Sequence, residues 1–255
     1  MTDNVILKEI DGYVAVLTLN RPNEMNALNC ELMVAIRHEI EACDREQEIR
    51  AVVLTGAGER AFCAGVDLKE RAAMTEQEVM ESRRVAVKPC YDIFRVISTP
   101  VIAAVNGVAM GGGAELALAC DIRLATPNAR FAHPEIRWGM IPAAGAHQRL
   151  RNLVSLGVAK EIMLTGRSLE ADEAHRLGIY NHIYESQRLL PEALAMARVI
   201  AAHHPLAVRK SKRVLDDWAY SDAAFEAEYE ASKACYQEGG ALAGPKSFKR
   251  DGKTS

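Results

Sequence analysis

The chain has 255 residues, 49% apolar and 25% charged, with a formal charge of -3. That length buries a full core in one or two domains without disulfides or structural metal, and the composition excludes disorder as the main state. The balanced charge leaves no overall field to hold nucleic acid, and aromatics at 5% make a poor platform for stacking bases.

Val14–Leu19 predicts a strand ended by Asn20-Arg21-Pro22. Leu32, Ile36, Ile40 and Cys43 have helical spacing over 31–45, and Ala51–Thr55 reads as a buried strand closed by Gly56-Ala57-Gly58. The segment 56–61 nearly matches a dinucleotide fingerprint, but Phe62-Cys63-Ala64-Gly65 interrupts the required helix, so an irregular loop with an exposed amide near Ala64 is expected instead. A long helix is expected over Glu76–Ile97, kinked or broken at Pro89. Val101–Val105 is the next buried strand, Gly111-Gly112-Gly113 opens a helix to about Cys120, and Asp121–Ala125 and Ala129–Ala132 read as short strands. After Pro142 nearly everything predicts helix: 146–153, 157–165, 170–177, 189–203, 205–219 and 221–237. Strands joined by helices, then helices alone, imply an α/β core carrying a helical C-terminal part.

The six cysteines form no Cys-x-x-Cys, and no His pair completes a zinc pattern, so reduced thiols, no metal and a cytoplasmic location are expected. The opening MTDNVILKEIDG lacks the basic and apolar regions of a signal peptide, and the most apolar run, from Val101, is broken by Asn106, Glu115 and glycines, so no membrane span is expected.

Candidate chemistry concentrates in 101–119, VIAAVNGVAMGGGAELALA, whose single charged residue is Glu115. Such a carboxylate either faces solvent in the first helical turn, favoured by the dipole, or is buried with a raised pKa and serves as an acid or base. Three successive glycines before the helix exceed what a tight turn needs; they let a ligand approach the free first-turn amides, a site for a developing oxyanion. Glu135 follows Pro134 and, taken alone, reads as a surface loop residue; His133 reads as a structural hydrogen-bonder.

AFCAGVDL at 61–68, PVIAAVNGVAMGGGAELALACDIRLA at 100–125, FAHPEIRWGMIP at 131–142 and LTGRSLEADEAHRLGI at 164–179 resemble, in this order, the crotonase superfamily, also called the enoyl-CoA hydratase/isomerase family. The resemblance covers nearly the whole chain. It implies a spiral of ββα turns over 1–195 and a helical trimerisation region over 196–255, in a homotrimer or homohexamer. It implies an acyl-CoA substrate, no cofactor beyond the coenzyme A of that substrate, and no nucleic-acid or membrane partner. By resemblance, the backbone amides of Ala64 and Gly112 form the oxyanion hole, Glu115 activates water and Glu135 is the acid; Gly65, Asp67, Gly111, Trp138 and His147 are substrate-binding. The implied activity is hydration of a 2-enoyl-CoA. Alternatives are a carnitinyl-CoA-type dehydratase, a double-bond isomerase or, in another class, a non-catalytic RNA-binding member. A lysine-rich helix carries the RNA role in one subgroup, and the matching segment here, 31–50, has no lysine.

Two departures bear on the substrate. Where the family often reads PGAGGTQRL, residues 142–150 read PAAGAHQRL, placing alanines at 143 and 146 and His147 at the threonine. The added methyls narrow the acyl pocket or re-aim the loop; His147 either faces solvent or contacts a polar acyl group. The tail, with Lys246, Lys249 and Arg250, also departs from the usual pattern and is either a contact for CoA phosphates or a solvated charged end.

Overall fold

A computed structural model describes residues 4–237. Strands β1 (Ile6–Asp11) and β2 (Val14–Leu19) form an antiparallel hairpin, turned at Gly12 with φ +59°. Helix α1 (Cys30–Arg45) starts where the Asn29 side chain accepts the Leu32 N–H, and it buries Leu32, Met33, Ile36, Ile40 and Cys43. Next come β3 (Ala51–Gly56), β4 (Ala61–Cys63), α2 (Leu68–Ala73), α3 (Glu76–Ser82), a π-helical turn over Arg83–Val87, and α4 (Lys88–Val96). The helix expected over Glu76–Ile97 is thus built in three pieces. Pro89 does not break it but sits in the first turn of α4, where its missing N–H costs least.

The chain continues through β5 (Val101–Val105), β6 (Val108–Met110) and α5 (Gly112–Ala119), then β7 (Ile122–Ala125), β8 (Arg130–Ala132) and a 3-10 turn over Pro134–Trp138. It ends in α6 (Ala146–Leu153), α7 (Leu156–Thr165), β9 (Ser168–Glu170), α8 (Ala171–Arg176), β10 (His182–Ile183), α9 (Ser186–Ala202), α10 (Pro205–Ala219) and α11 (Asp222–Gln237). One sheet has the order β1-β2-β3-β5-β7-β10, the other β4-β6-β8-β9. The chain therefore visits the large sheet, then the small sheet, then a helix, and repeats. This is the spiral of ββα turns expected.

Of the small sheet only β8 was legible, as the short strand expected over Ala129–Ala132. β4, β6 and β9 have three residues each, too few for an alternating pattern. β4 ends at Cys63 and irregular chain follows at Ala64-Gly65, while β9 and β10 lie in the gaps around the helix expected at 170–177. β3 and β5 are buried on both faces, which is why they read as unbroken apolar runs. Leu17, Val52, Leu54, Ala103 and Val105 face one core with α1 and α4. Val14, Val16, Val53, Ile102 and Ala104 face Leu189, Ala193, Ala197 and Ala201 of α9. The expected boundary at 195/196 falls inside α9, whose buried stripe runs through it.

Candidate active site

The parallel pair β4 and β6 brings two strand ends side by side. Beyond them lie Ala64-Gly65 and Gly111-Gly112. The approach needs glycine: a Cβ on Gly65 would sit 2.6 Å from the Met110 carbonyl oxygen, and one on Gly113 would sit 2.0 Å from that of Cys63. Gly111, at φ +52°, turns the chain into α5, so Gly112 opens that helix with a first-turn N–H. The amide expected to be exposed at Ala64 is engaged: its N–H donates to the Met25 carbonyl at 3.0 Å. Met25 and Asn26 both have positive φ, 51° and 55°, a costly conformation for residues with a side chain. Buried Asn26 holds this turn, its amide donating to the Ala57 and Ala61 carbonyls and its oxygen accepting from Arg21 N–H. Nothing in the residue pattern marked this latch.

Glu115 lies in the first turn of α5 and is 6% exposed, which decides between its two sequence readings in favour of burial. Its Oε1 accepts the Ala143 N–H at 3.1 Å and the Ala144 N–H at 2.8 Å. Burial first, then the negative charges of Glu135 and Glu228, push its carboxyl well above the usual range, against the pull of the Ala144 N–H and Arg149. Glu135 is no open surface residue. Its side chain is 14% exposed, both oxygens are shielded without a hydrogen-bond partner among the described residues, and Oε1 lies 3.4 Å from where a Cβ on Gly111 would be. The two carboxyls therefore flank the Gly111–Gly112 turn. His133, 1% exposed, is not the hydrogen-bonder expected: among the described residues neither ring nitrogen has a hydrogen-bond partner, Nδ1 is 3.6 Å from Glu135 Oε1, and the ring packs edge-on to Phe131.

Sequence reasoning missed Glu228. This residue of α11 is 7% exposed, and its carboxylate accepts the N–H groups of Gly145, Ala146 and His147 at 2.5, 3.1 and 3.0 Å. It caps α6 from outside and fixes the loop that holds Glu115. Arg149, also buried, donates to the Ala144 carbonyl within the same loop. Gly145 is needed for this closure, because a Cβ there would lie 1.8 Å from Phe225 of α11.

The remaining sequence candidates separate. Gly65 and Gly111 line the strand ends beside Gly112. The Asp67 carboxylate caps α2 by accepting the Lys69 and Glu70 N–H groups and pairs with Arg21 at 2.9 Å. Trp138 is half-buried and closes the 3-10 turn three residues after Glu135, on the same face. His147 is half-exposed, with Nδ1 2.9 Å from Glu228 Oε2. Ala146 is fully buried beneath the loop. Lys246, Lys249 and Arg250 lie outside the described residues. Among the described residues no group of His, Cys, Asp and Glu is placed to hold a metal ion, and no helix is long and apolar enough to cross a membrane.

A spiral of two interleaved sheets with paired carboxyls at a glycine-rich helix start defines a class, and comparison with known proteins identifies it. The enoyl-CoA hydratase/isomerase family model matches residues 9–249. A short-chain-enoyl-CoA hydratase of Clostridium acetobutylicum is 40% identical over 238 residues, covering 92% of this chain and 90% of that protein. An enoyl-CoA hydratase structure from Bacillus anthracis superposes with TM-score 0.82 at 35% identity, covering 96% of each chain. A carnitinyl-CoA dehydratase structure from Mycobacterium avium superposes with TM-score 0.83 at 36% identity, again covering 96% of each. The chain belongs to the enoyl-CoA hydratase/isomerase family.

Proposed function

We propose that the chain hydrates 2-enoyl-CoA thioesters with Glu115 and Glu135 acting as one dyad and the N–H groups of Gly112 and Ala64 holding the thioester oxygen. That it is an enzyme of the enoyl-CoA hydratase kind follows from its relatives; the assignment of steps to residues is the proposal. Two donors at the thioester oxygen draw electrons from the conjugated double bond and stabilise the enolate, each by about 10²–10³ in rate. Gly112 N–H is supported by its place at a helix start. Ala64 N–H is shared with, or turned from, the Met25 carbonyl when the oxygen arrives.

As the enolate forms, Glu115 takes a proton from water while the water oxygen adds to C3. Glu135 then gives a proton to C2. One proton enters the dyad and one leaves, so a single shared proton suffices, and the upward push on Glu115 supports such sharing. In the reactive arrangement Glu115 is ionised on the Ala143 and Ala144 N–H groups and Glu135 carries the proton. No cofactor enters beyond the coenzyme A of the substrate. The carrying observation is the asymmetry of the pair: Glu115 is anchored through one oxygen, whereas both Glu135 oxygens lack a partner among the described residues.

Run in reverse, the same groups dehydrate a 3-hydroxyacyl-CoA, the direction named for the Mycobacterium avium relative. The reading includes a homotrimer or homohexamer, supported by apolar Leu206, Val214 and Leu215 exposed on α10. The test is loss of conjugated thioester absorbance with crotonyl-CoA. Glu115→Gln and Glu135→Gln are each expected to lower kcat by about 10²–10⁴; a change of only a few-fold in either would contradict the assignment.

A further inference from the structure

Two arginines are buried on the helical elements that follow β4. Arg71, in α2, is 8% exposed, and Arg83, which opens the π-helical turn, is 3% exposed. Among the described residues neither guanidinium pairs with an acid. Arg71 Nη1 donates to Tyr236 Oη at 2.9 Å, and Arg83 Nη2 donates to Ser232 Oγ at 3.2 Å. The Arg83 Nε–H is buried and has no acceptor among the described residues. Tyrosine faces give partial compensation: Arg83 stands 4.5 Å from the Tyr236 ring and 5.2 Å from the Tyr229 ring, and Arg71 stands 5.8 Å from Tyr236. Burying a full charge without a counter-ion is costly, and a chain that only needed to pin α11 would do so with apolar residues of similar volume.

The pair is connected to the reacting groups from both sides. Arg71 follows the Ala64–Asp67 segment on α2. Tyr236 Oη donates to Met140 Sδ, and Ser232 Oγ donates to the Ile141 carbonyl at 3.2 Å. Met140 and Ile141 lie between Glu135 and the Ala143–Ala144 N–H groups that hold Glu115. The cations thus border the dyad through one short strand of chain. The π turn adds to this, since such turns distort a helix at a cost and recur at functional sites.

We infer that Arg71 and Arg83 bind an anionic group at the far end of the acyl chain, so that the preferred substrate is an enoyl-CoA whose acyl group ends in a carboxylate. This rests on the hydratase reading above. A carboxylate supplies the missing acceptor for Arg83 Nε–H and the missing counter-charge for both groups. Guanidinium is suited to it, because its fork matches the two oxygens.

The experiment compares kcat/KM for glutaconyl-CoA with that for 2-pentenoyl-CoA, which has the same carbon count and no second acid. The wild-type ratio is expected to favour glutaconyl-CoA by about tenfold or more. Arg83→Gln and, separately, Arg71→Gln are expected to lower that ratio by about tenfold, and Arg83→Lys to keep part of it. A wild-type preference for the neutral substrate would overturn the inference. So would variants that lose both activities in proportion, as a purely structural role for the arginines requires. If wild type hydrates neither compound nor crotonyl-CoA, the hydratase reading itself falls and takes the inference with it.

Discussion

Glu115 concentrates the physical tension of this site in one side chain. It lies buried in an apolar helix, near two other acids, yet receives two main-chain donors on one oxygen. Its carboxyl is pushed well above the ordinary range. Between that range and the raised value the folded chain retains a proton that the unfolded chain has released, so this residue lowers stability as pH rises through the window. Glutamine keeps an acceptor for Ala143 and Ala144 and carries no charge. Glu115→Gln is therefore expected to melt higher than wild type at neutral pH, by about 2–4 °C per kcal/mol relieved, and by less at pH 4. Thermal unfolding across pH checks this; a lower Tm for the variant throughout would contradict it. The sequence made Glu115 visible because it is the only charge in its segment. It left Glu135 ambiguous, since a carboxyl after a Pro turn reads as surface until the fold places it over Gly111.

At the scale of elements, α11 is part of the site. It supplies Glu228 to the start of α6, Phe225 against Gly145, and Ser232 and Tyr236 to the buried arginines. Glu228→Gln replaces one acceptor oxygen with an amide NH₂ donor facing a backbone N–H, which costs about 1–3 kcal/mol of stability. It also removes a negative charge that raises Glu115. The pH at which activity rises on the acid side should therefore move down, and kcat/KM should fall several-fold as the loop loosens. A pH–rate profile of the variant checks both; an unmoved acid limb would contradict the coupling. The helix itself was legible over 221–237, but its destination was not. Glu228 sits in an acid-rich surface-like pattern, and only long-range packing shows that it turns inward.

For the whole molecule, the order of elements carried most of the information. Buried runs such as Val101–Val105 announced the large sheet, whereas the three-residue strands that position Ala64 and Gly112 have no periodicity to read. A cavity of about 1280 Å³ lies elsewhere, between α10 and the far end of α5, and its lining includes neither Glu115 nor Glu135. The chemistry is therefore located by carboxyls and amides rather than by volume. The central claim is that the two glutamates act as a unit. The most direct measurement is a double-mutant cycle on crotonyl-CoA hydration, with Glu115→Gln, Glu135→Gln and the two combined. A unit predicts a double variant within about tenfold of the worse single variant. Losses that multiply in full would show two independent contributions and contradict the account.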